Sequence, residues 1–210
     1  MSALRERFTA LARYLGASGD AATLADALLA DYGEPRRAYH GTAHLIDCLA
    51  RLDEASASGP TRDQVEAALW YHDAVYDSRA DDNEERSAER AHRELTAVGV
   101  ESAVATDVAR LVRLTDHRSL PDDPAGRLVC DIDLSILGRS PQEFDAYDAA
   151  IRTEYAWVPE DRYRAARLQV LDGLLRRDPI YQTEQFRRRY ERQARANLRR
   201  AVARLAADGG

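Results

Sequence analysis

Apolar residues recur every three or four positions along the whole chain, the spacing that places them on one face of an α-helix. Leu4, Phe8, Leu11 and Leu15 form one such series near the start of the chain. No clean alternation of apolar and polar residues extends over the length of a strand. The pattern predicts an all-α protein, with helices at about 20–31, 41–56, 101–116, 124–137, 159–177 and 184–206.

Short polar segments mark the ends of these helices. Asp82 followed by Glu85 is typical of a capping box, and Gly99 can end the helix that starts there. The segment 140–143, Ser-Pro-Gln-Glu, combines a capping serine, a first-turn proline and a capping-box glutamate. Because the breaks are too short to be interdomain linkers, the sequence predicts one compact helical domain over residues 1–210.

The composition is typical of a soluble globular protein. The chain has 210 residues, of which 45% are hydrophobic and 31% charged, which is enough for one sizeable core. It contains no run of about 18 apolar residues. Met1 to Ala12 carries Arg5, Glu6 and Arg7 where a signal peptide needs an unbroken apolar stretch. We therefore expect a cytoplasmic protein that does not enter a membrane.

Charge and cysteine content argue against several functions. The net charge of −6 makes a general nucleic-acid binder unexpected, and the arginines at 187–204 are interpreted as the solvated face of an amphipathic helix. All 30 basic residues are arginine, which excludes lysine chemistry. Cys48 and Cys130 lack CxxC spacing and lie in apolar contexts, so we interpret both as small buried hydrophobes and expect neither a disulfide nor a cysteine-based zinc site.

Two short segments contain three of the five histidines and an adjacent carboxylate. His40 and His44 are four residues apart and share one face if their segment is helical. His72 shares an apolar stripe with Val65, Leu69 and Tyr76, which directs its ring toward the interior. The neighbouring Asp73 must then be paired or bound to a metal, because an isolated buried carboxylate is costly. Imidazole and carboxylate together can hold a divalent metal.

Further candidates lie downstream. His117 closes a predicted helix, where it is either a second ligand for metal or phosphate, or a helix-end histidine stabilised by the helix dipole. Asp131 and Asp133 lie in an otherwise apolar run, so at least one of them needs a buried partner.

Six segments in order carry a resemblance to a known family. They are Tyr39-His40-x-x-x-His44, Trp70-Tyr71-His72-Asp73-x-x-Tyr76-Asp77, Asp82-Asn83-Glu84-x-x-Ser87-Ala88, Thr115-x-His117, Asp131-x-Asp133-Leu134-Ser135-Ile136-Leu137-Gly138 and Arg152-x-Glu154-Tyr155. Together they resemble the HD superfamily of metal-dependent phosphohydrolases, and in detail a bacterial branch described only as predicted HD phosphohydrolases. The resemblance spans roughly residues 36–185, and it implies an HD-type helical bundle with the metal-site core at about 36–155 and C-terminal helices at about 159–206.

The resemblance also implies the ligands. His72 and Asp73 match the defining doublet, with an upstream histidine and a downstream aspartate completing the set. By similarity to cyclic-nucleotide phosphodiesterases, distant relatives, His44 is the upstream ligand and His40 protonates the leaving group. Asp131 and Asp133 both remain candidates for the last ligand, with Asp131 slightly favoured. The implied metal is manganese, iron, cobalt, nickel or zinc, which suit imidazole better than magnesium does.

The expected activity is hydrolysis of a phosphomonoester, a phosphodiester or a nucleotide by metal-activated water. His40 or His117 would protonate the departing oxygen, and Glu84 would act as a base or bind through water. Arg36, Arg37 or Arg118 would neutralise phosphate charge, and Tyr39 and Tyr76 would line the pocket. The expected partner is a small phosphorylated substrate, and a homodimer is compatible with it. The alternatives are a non-catalytic metal- or nucleotide-binding module and, more weakly, a nucleic-acid-associated protein.

Overall fold

The computed structural model describes residues 2–207, except for the side chain of Pro60. These residues form ten α-helices and two short 3₁₀ helices, and no strand occurs among them, which confirms the all-α prediction. No helix in this described part is both long and apolar enough to cross a membrane. The chain divides into two compact units, Met1–Asp133 and Leu134–Gly210. The prediction of one domain over 1–210, which includes four residues outside the described range, stays a prediction.

The first unit contains seven α-helices and one 3₁₀ segment. They are α1 (Ser2–Tyr14), α2 (Ala21–Tyr32), α3 (Thr42–Glu54), α4 (Gly59–Tyr71), α5 (Asn83–Ala97), α6 (Ser102–Arg113), the 3₁₀ segment Leu114–Asp116 and α7 (Pro124–Asp133). The second unit contains the 3₁₀ segment Leu134–Gly138 and helices α8 (Pro141–Glu154), α9 (Glu160–Leu175) and α10 (Glu184–Ala207).

Helix α4 is the centre of the first unit. Residues 65–71 are each at most 3% exposed, and α4 packs against α1, α3, α5, α6 and α7. Phe8 of α1 meets Trp70 edge-to-face, with ring centroids 5.1 Å apart. The buried carboxylate of Glu66 is held by Arg7 at 2.7 Å and by Arg62 at 2.8 Å, so this helix carries no unpaired charge at that position. Because residues 65–71 are buried on every side of α4, the C-terminal end of this helix is held in a fixed position.

Several helix ends differ from the predictions. Helix α3 begins at Thr42, after an extended Gly41, so His40 lies in the preceding turn and not on the helix with His44. Helix α4 ends at Tyr71, so Tyr76 lies beyond it and the stripe ends at His72. The helix predicted at 124–137 ends as an α-helix at Asp133 and continues as a 3₁₀ segment. Asp82 precedes α5, but its side chain makes no capping hydrogen bond, so the predicted capping box there is wrong.

Other predicted boundaries are confirmed. Ser140 and Glu143 form the predicted capping box at the start of α8, with both reciprocal hydrogen bonds present. Gly99 has a left-handed backbone with φ of +94° just beyond α5, a conformation that favours glycine.

In the second unit, polar side chains of the C-terminal region hold the 3₁₀ segment. The buried amide of Asn197 donates to the carbonyls of Leu137 and Arg139, each at 2.9 Å, and the Tyr181 hydroxyl donates to the carbonyl of Leu134 at 3.0 Å. These bonds satisfy carbonyls that the end of a helix leaves open. On α10, Arg188, Arg195, Arg200 and Arg204 are in ion pairs with carboxylates of the same unit.

Candidate metal site

Three packed helices bring together the residues of the two histidine segments and the downstream aspartate. His44 lies in the first turn of α3, His72 caps the C-terminus of α4, and Asp133 is the last residue of α7. Helices α3, α4 and α7 pack against one another in pairs, so these three positions converge. Asp73 follows His72 directly in the turn after α4.

The ligand atoms lie at distances that suit a shared cation. His44 Nε2 is 3.0 Å from His72 Nε2 and 3.1 Å from Asp133 Oδ1. His72 Nε2 is 3.1 Å from Asp73 Oδ2, and the two remaining nitrogen–oxygen separations, His44 to Asp73 and His72 to Asp133, are both 3.7 Å. Metal–ligand bonds of about 2.0–2.2 Å at angles of about 90–120° place neighbouring ligand atoms about 3–3.7 Å apart.

The hydrogen bonding around His72 leaves its Nε2 available to a metal. His72 Nδ1 lies 2.8 Å from the Leu69 carbonyl, which can only accept, so Nδ1 carries a proton. In the neutral ring Nε2 then presents a lone pair toward two carboxylates and a second imidazole nitrogen. Asp73 Oδ2 is buried and has no hydrogen-bond partner among the described residues. A group of converging acceptors requires a positive charge between them, and a divalent cation supplies one.

Without a metal, protons take that role. Burial lowers the pKa of His72, but Asp73 and Asp133 outweigh burial and raise the pKa to about 9. Burial raises the pKa of Asp73, yet the charges of His72, His40 and His44 hold that pKa well below its usual range. The pKa of Asp133 is also lowered, by His117, His44 and His72 against the effect of burial. The cluster therefore favours a positive charge, which protons or a metal ion can supply.

Cys48 belongs to the same cluster, which the sequence interpretation missed. It lies one turn after His44 on α3, and its Sγ is 3.7 Å from His44 Nε2. His44, Cys48, His72 and Asp133 form a buried group that could hold a metal ion. The pKa of the Cys48 thiol is raised by burial and by Asp133, Asp47 and Asp73, so it is protonated unless a metal binds. The sequence could have indicated this, because the four-residue spacing between His44 and Cys48 places both side chains on one face of a helix.

Asp133, rather than Asp131, lies in this group. Asp131 is 1% exposed on α7, but among the described residues the metal-binding group contains Asp133. The two carboxylates are two positions apart on a helix, so they point in nearly opposite directions and only one of them can face α3 and α4. The geometry favours Asp133 over Asp131 as the last ligand, and the choice between them stays a prediction.

His117 contacts the other oxygen of the same aspartate. Its Nε2 is 2.7 Å from Asp133 Oδ2, and its backbone is left-handed, with φ of +55°, at the end of the 3₁₀ segment. A non-glycine residue in this region is uncommon and is often held at a functional site. His117 thus ends the 3₁₀ segment and also contacts Asp133, whose carboxylate it can orient, and its role as a ligand stays a prediction.

Aromatic rings surround His40 at the edge of the cluster. The His40 ring stacks on Tyr76, with centroids 4.4 Å apart, and the ring of Tyr39 lies 4.7 Å from that of His44. Tyr76 is buried, whereas Tyr39 and His40 are half-buried. The charge of His40 acts on Asp73, which places the ring within electrostatic reach of the ligands.

Helix α5 holds the turn that follows the His72-Asp73 pair. Asn83 accepts from the Asp77 N–H at 3.0 Å and donates to its carbonyl at 2.9 Å. Ser87 accepts from the Val75 N–H at 3.0 Å and donates to the Val75 carbonyl at 3.3 Å. These paired bonds explain physically why the sequence contains the Asn83 and Ser87 segment after the histidine–aspartate segment.

An open cavity of about 190 Å³ lies at the N-terminal end of α5. It is lined by five carboxylates and two guanidinium groups, from Asp81, Asp82, Glu84, Glu85, Asp116, Arg113 and Arg118. The pKa of Glu84, at this cavity, is raised by burial and by the charges of Asp73 and Asp116. Arg118 thus lies at the cavity, whereas Arg36 is exposed and paired with Glu34.

Comparisons of the chain with family models, with curated proteins and with solved structures find no match. The resemblance to HD phosphohydrolases therefore stays a prediction, and the geometry of the cluster stands on its own.

Proposed function

We propose that this protein is a divalent-metal-dependent phosphohydrolase of the HD type. The observation that carries the proposal is the convergence of His44 Nε2, His72 Nε2, Asp73 Oδ2 and Asp133 Oδ1 within 3.0–3.7 Å of one another in the five separations given above. A divalent cation held there would supply Lewis acidity and would lower the pKa of a bound water.

The surrounding residues support hydrolysis of a phosphate ester. In that reaction the water oxygen bonds to phosphorus and the bond to the leaving oxygen breaks. Glu84, whose pKa is raised, is suited to take the proton from water, and His40 to give a proton to the leaving oxygen. His117 is engaged with Asp133, so we assign it to orienting that carboxylate.

The cavity supports a small substrate. Its volume of about 190 Å³ is below the ~300–1,000 Å³ typical of drug-sized ligand sites. Its carboxylates outnumber its two guanidinium groups, so it disfavours a polyphosphate and favours a phosphomonoester whose remainder is neutral or cationic. Arg118 is the group at this cavity best suited to meet the phosphate.

The presence of Cys48 in the cluster favours some divalent metals over others. A thiolate beside two imidazoles favours zinc, cobalt or iron over manganese, and over magnesium most strongly.

A panel of phosphate esters and nucleotides, assayed with metal-free protein and with each added metal, tests the proposal. We expect metal-dependent turnover that is lost in His72→Ala and kept in His92→Ala, a control at a histidine of α5 outside the cluster. His40→Ala should retain the metal and lose about 10²–10⁴-fold in turnover of alkyl esters. It should lose much less with p-nitrophenyl phosphate, whose leaving group needs no proton. Tight metal binding with no turnover of any ester would instead support the non-catalytic binding module.

A further inference from the structure

Arg37 is a buried cation beside the two segments that form the metal site. It lies in the loop between α2 and α3, and its side chain is 1% exposed. A buried guanidinium is costly unless its donors are satisfied. This burial corrects the expectation that Arg37 could neutralise a substrate phosphate.

Its donors join two backbone segments that are distant in sequence. Nη1 donates to the carbonyl of His40 at 3.2 Å and to that of Asp73 at 2.5 Å, and Nη2 donates to the carbonyl of Ala74 at 3.3 Å. Nε donates to Glu34 Oε2 at 3.0 Å, which supplies the balancing negative charge. One planar group thus connects the turn before α3 to the turn after α4.

Two tyrosines hold the guanidinium and contact the same two segments. The Arg37 Cζ lies 5.5 Å from the ring centroid of Tyr32 and 5.6 Å from that of Tyr76, within the range of cation–π contact. The Tyr32 hydroxyl accepts from the Asp73 N–H at 3.3 Å, and the ring of Tyr76 stacks on His40. The arginine, the two rings and the site backbone therefore form one connected unit.

We propose that Arg37 is the positioning residue of this site. By fixing the backbone of His40 against that of Asp73, it sets the distance between the proton donor and the metal ligands. It thereby raises the affinity of these ligands for a metal ion. The effect on turnover rests on the proposed function, but the effect on metal affinity does not.

The test is metal binding by Arg37→Met, Arg37→Lys and the matched control Arg36→Met. Arg36 is the adjacent residue, is 58% exposed and pairs with the same Glu34, so its variant removes a neighbouring charge without touching the two turns. Binding of Zn²⁺ and Co²⁺ is measured by competition with a chromophoric chelator, on protein shown to be folded by circular dichroism. The visible spectrum of the Co²⁺ complex reports ligand geometry directly.

We expect Arg37→Met to weaken metal binding about 10–100-fold, the range for removing partners that orient metal ligands, and to change the Co²⁺ spectrum. Arg37→Lys keeps the charge but not the planar fork, so a smaller loss in the same direction is expected. Arg36→Met should bind within about twofold of the unchanged protein, because loss of an exposed ion pair has little effect.

Wild-type affinity and an unchanged Co²⁺ spectrum in folded Arg37→Met would overturn the proposal and leave Arg37 as a packing residue only. If Arg37→Met does not fold, Arg37→Lys decides by the same two measurements. Absence of turnover with every substrate, together with the expected losses of affinity, would refute the phosphohydrolase and leave the role of Arg37 standing.

Discussion

Replacing Asp133 by asparagine tests the candidate metal site at the residue where the sequence favoured Asp131 and the structure favours Asp133. Asp133 Oδ1 is 3.1 Å from His44 Nε2, and Oδ2 is 2.7 Å from His117 Nε2. The substitution keeps the shape of the side chain but removes its charge. Asp131→Asn is the matched control, because it makes the same change two residues earlier on the same buried helix.

The expected magnitude follows from the position of the carboxylate. Loss of a partner that only orients a metal ligand typically weakens binding about 10–100-fold. Asp133 would supply a ligand atom itself, so we expect at least about 100-fold weaker Zn²⁺ binding, or about 2.8 kcal/mol at 1.4 kcal/mol per factor of ten. For Asp131→Asn we expect less than about tenfold, since that carboxylate faces away from the cluster.

Zn²⁺ affinity is measured by competition with a chelator, and thermal unfolding of the metal-free variants separates loss of binding from loss of structure. If Asp131→Asn loses the metal while folded Asp133→Asn retains it, the ligand assignment is refuted and the end of α7 must lie in a different register.

Four further predictions follow from the same structure. Cys48→Ser should abolish the sulfur-to-metal charge-transfer absorption of the Co²⁺ protein and lower Zn²⁺ affinity more than Mn²⁺ affinity, whereas Cys130→Ser should do neither; a wild-type Co²⁺ spectrum without that absorption would contradict a role for the thiolate. Because the pKa of His72 is raised to about 9 and the pKa of the Cys48 thiol is also raised, metal binding at pH 7.5 should release one proton from each group, and affinity should rise as the pH increases from 7.5 through about 9. Calorimetry in buffers of different ionisation enthalpy measures that release, and an enthalpy independent of the buffer would argue against it. In the metal-free protein, the raised pKa of His72 stabilises the folded state. This stabilisation is present in full below about pH 6.5 and is lost as the pH rises through about 9. Asn197→Leu should destabilise the second unit by about 1–3 kcal/mol, since two carbonyls lose their buried donor; urea unfolding measures this, and an unchanged midpoint would show that the carbonyls find other donors.

The helices and the burial of His72 could be predicted from the sequence because they depend on local spacing. Apolar periodicity gave the all-α class, and the Ser140 capping box gave the start of α8 to the residue. His72 follows a run of residues that are buried on every side, so its position at the core needed no knowledge of other helices.

Choices between neighbouring residues depended on where helices end and what they face. Whether Asp131 or Asp133 joins the cluster depends on which face of α7 packs against α3 and α4, and apolar residues surround both carboxylates in the sequence. His40 does not lie on the same helix as His44, because α3 begins two residues after His40. Periodicity cannot locate such an end to within one or two residues.

The sequence by itself determined that this chain is helical and that it holds histidines and carboxylates able to bind a metal. Only the tertiary structure decided which of these atoms meet, that Cys48 joins them, and that Arg37 is buried between the two segments. The physical reason is that helix formation depends on residues three and four positions apart, whereas a metal site depends on atoms that only packing brings to within 4 Å.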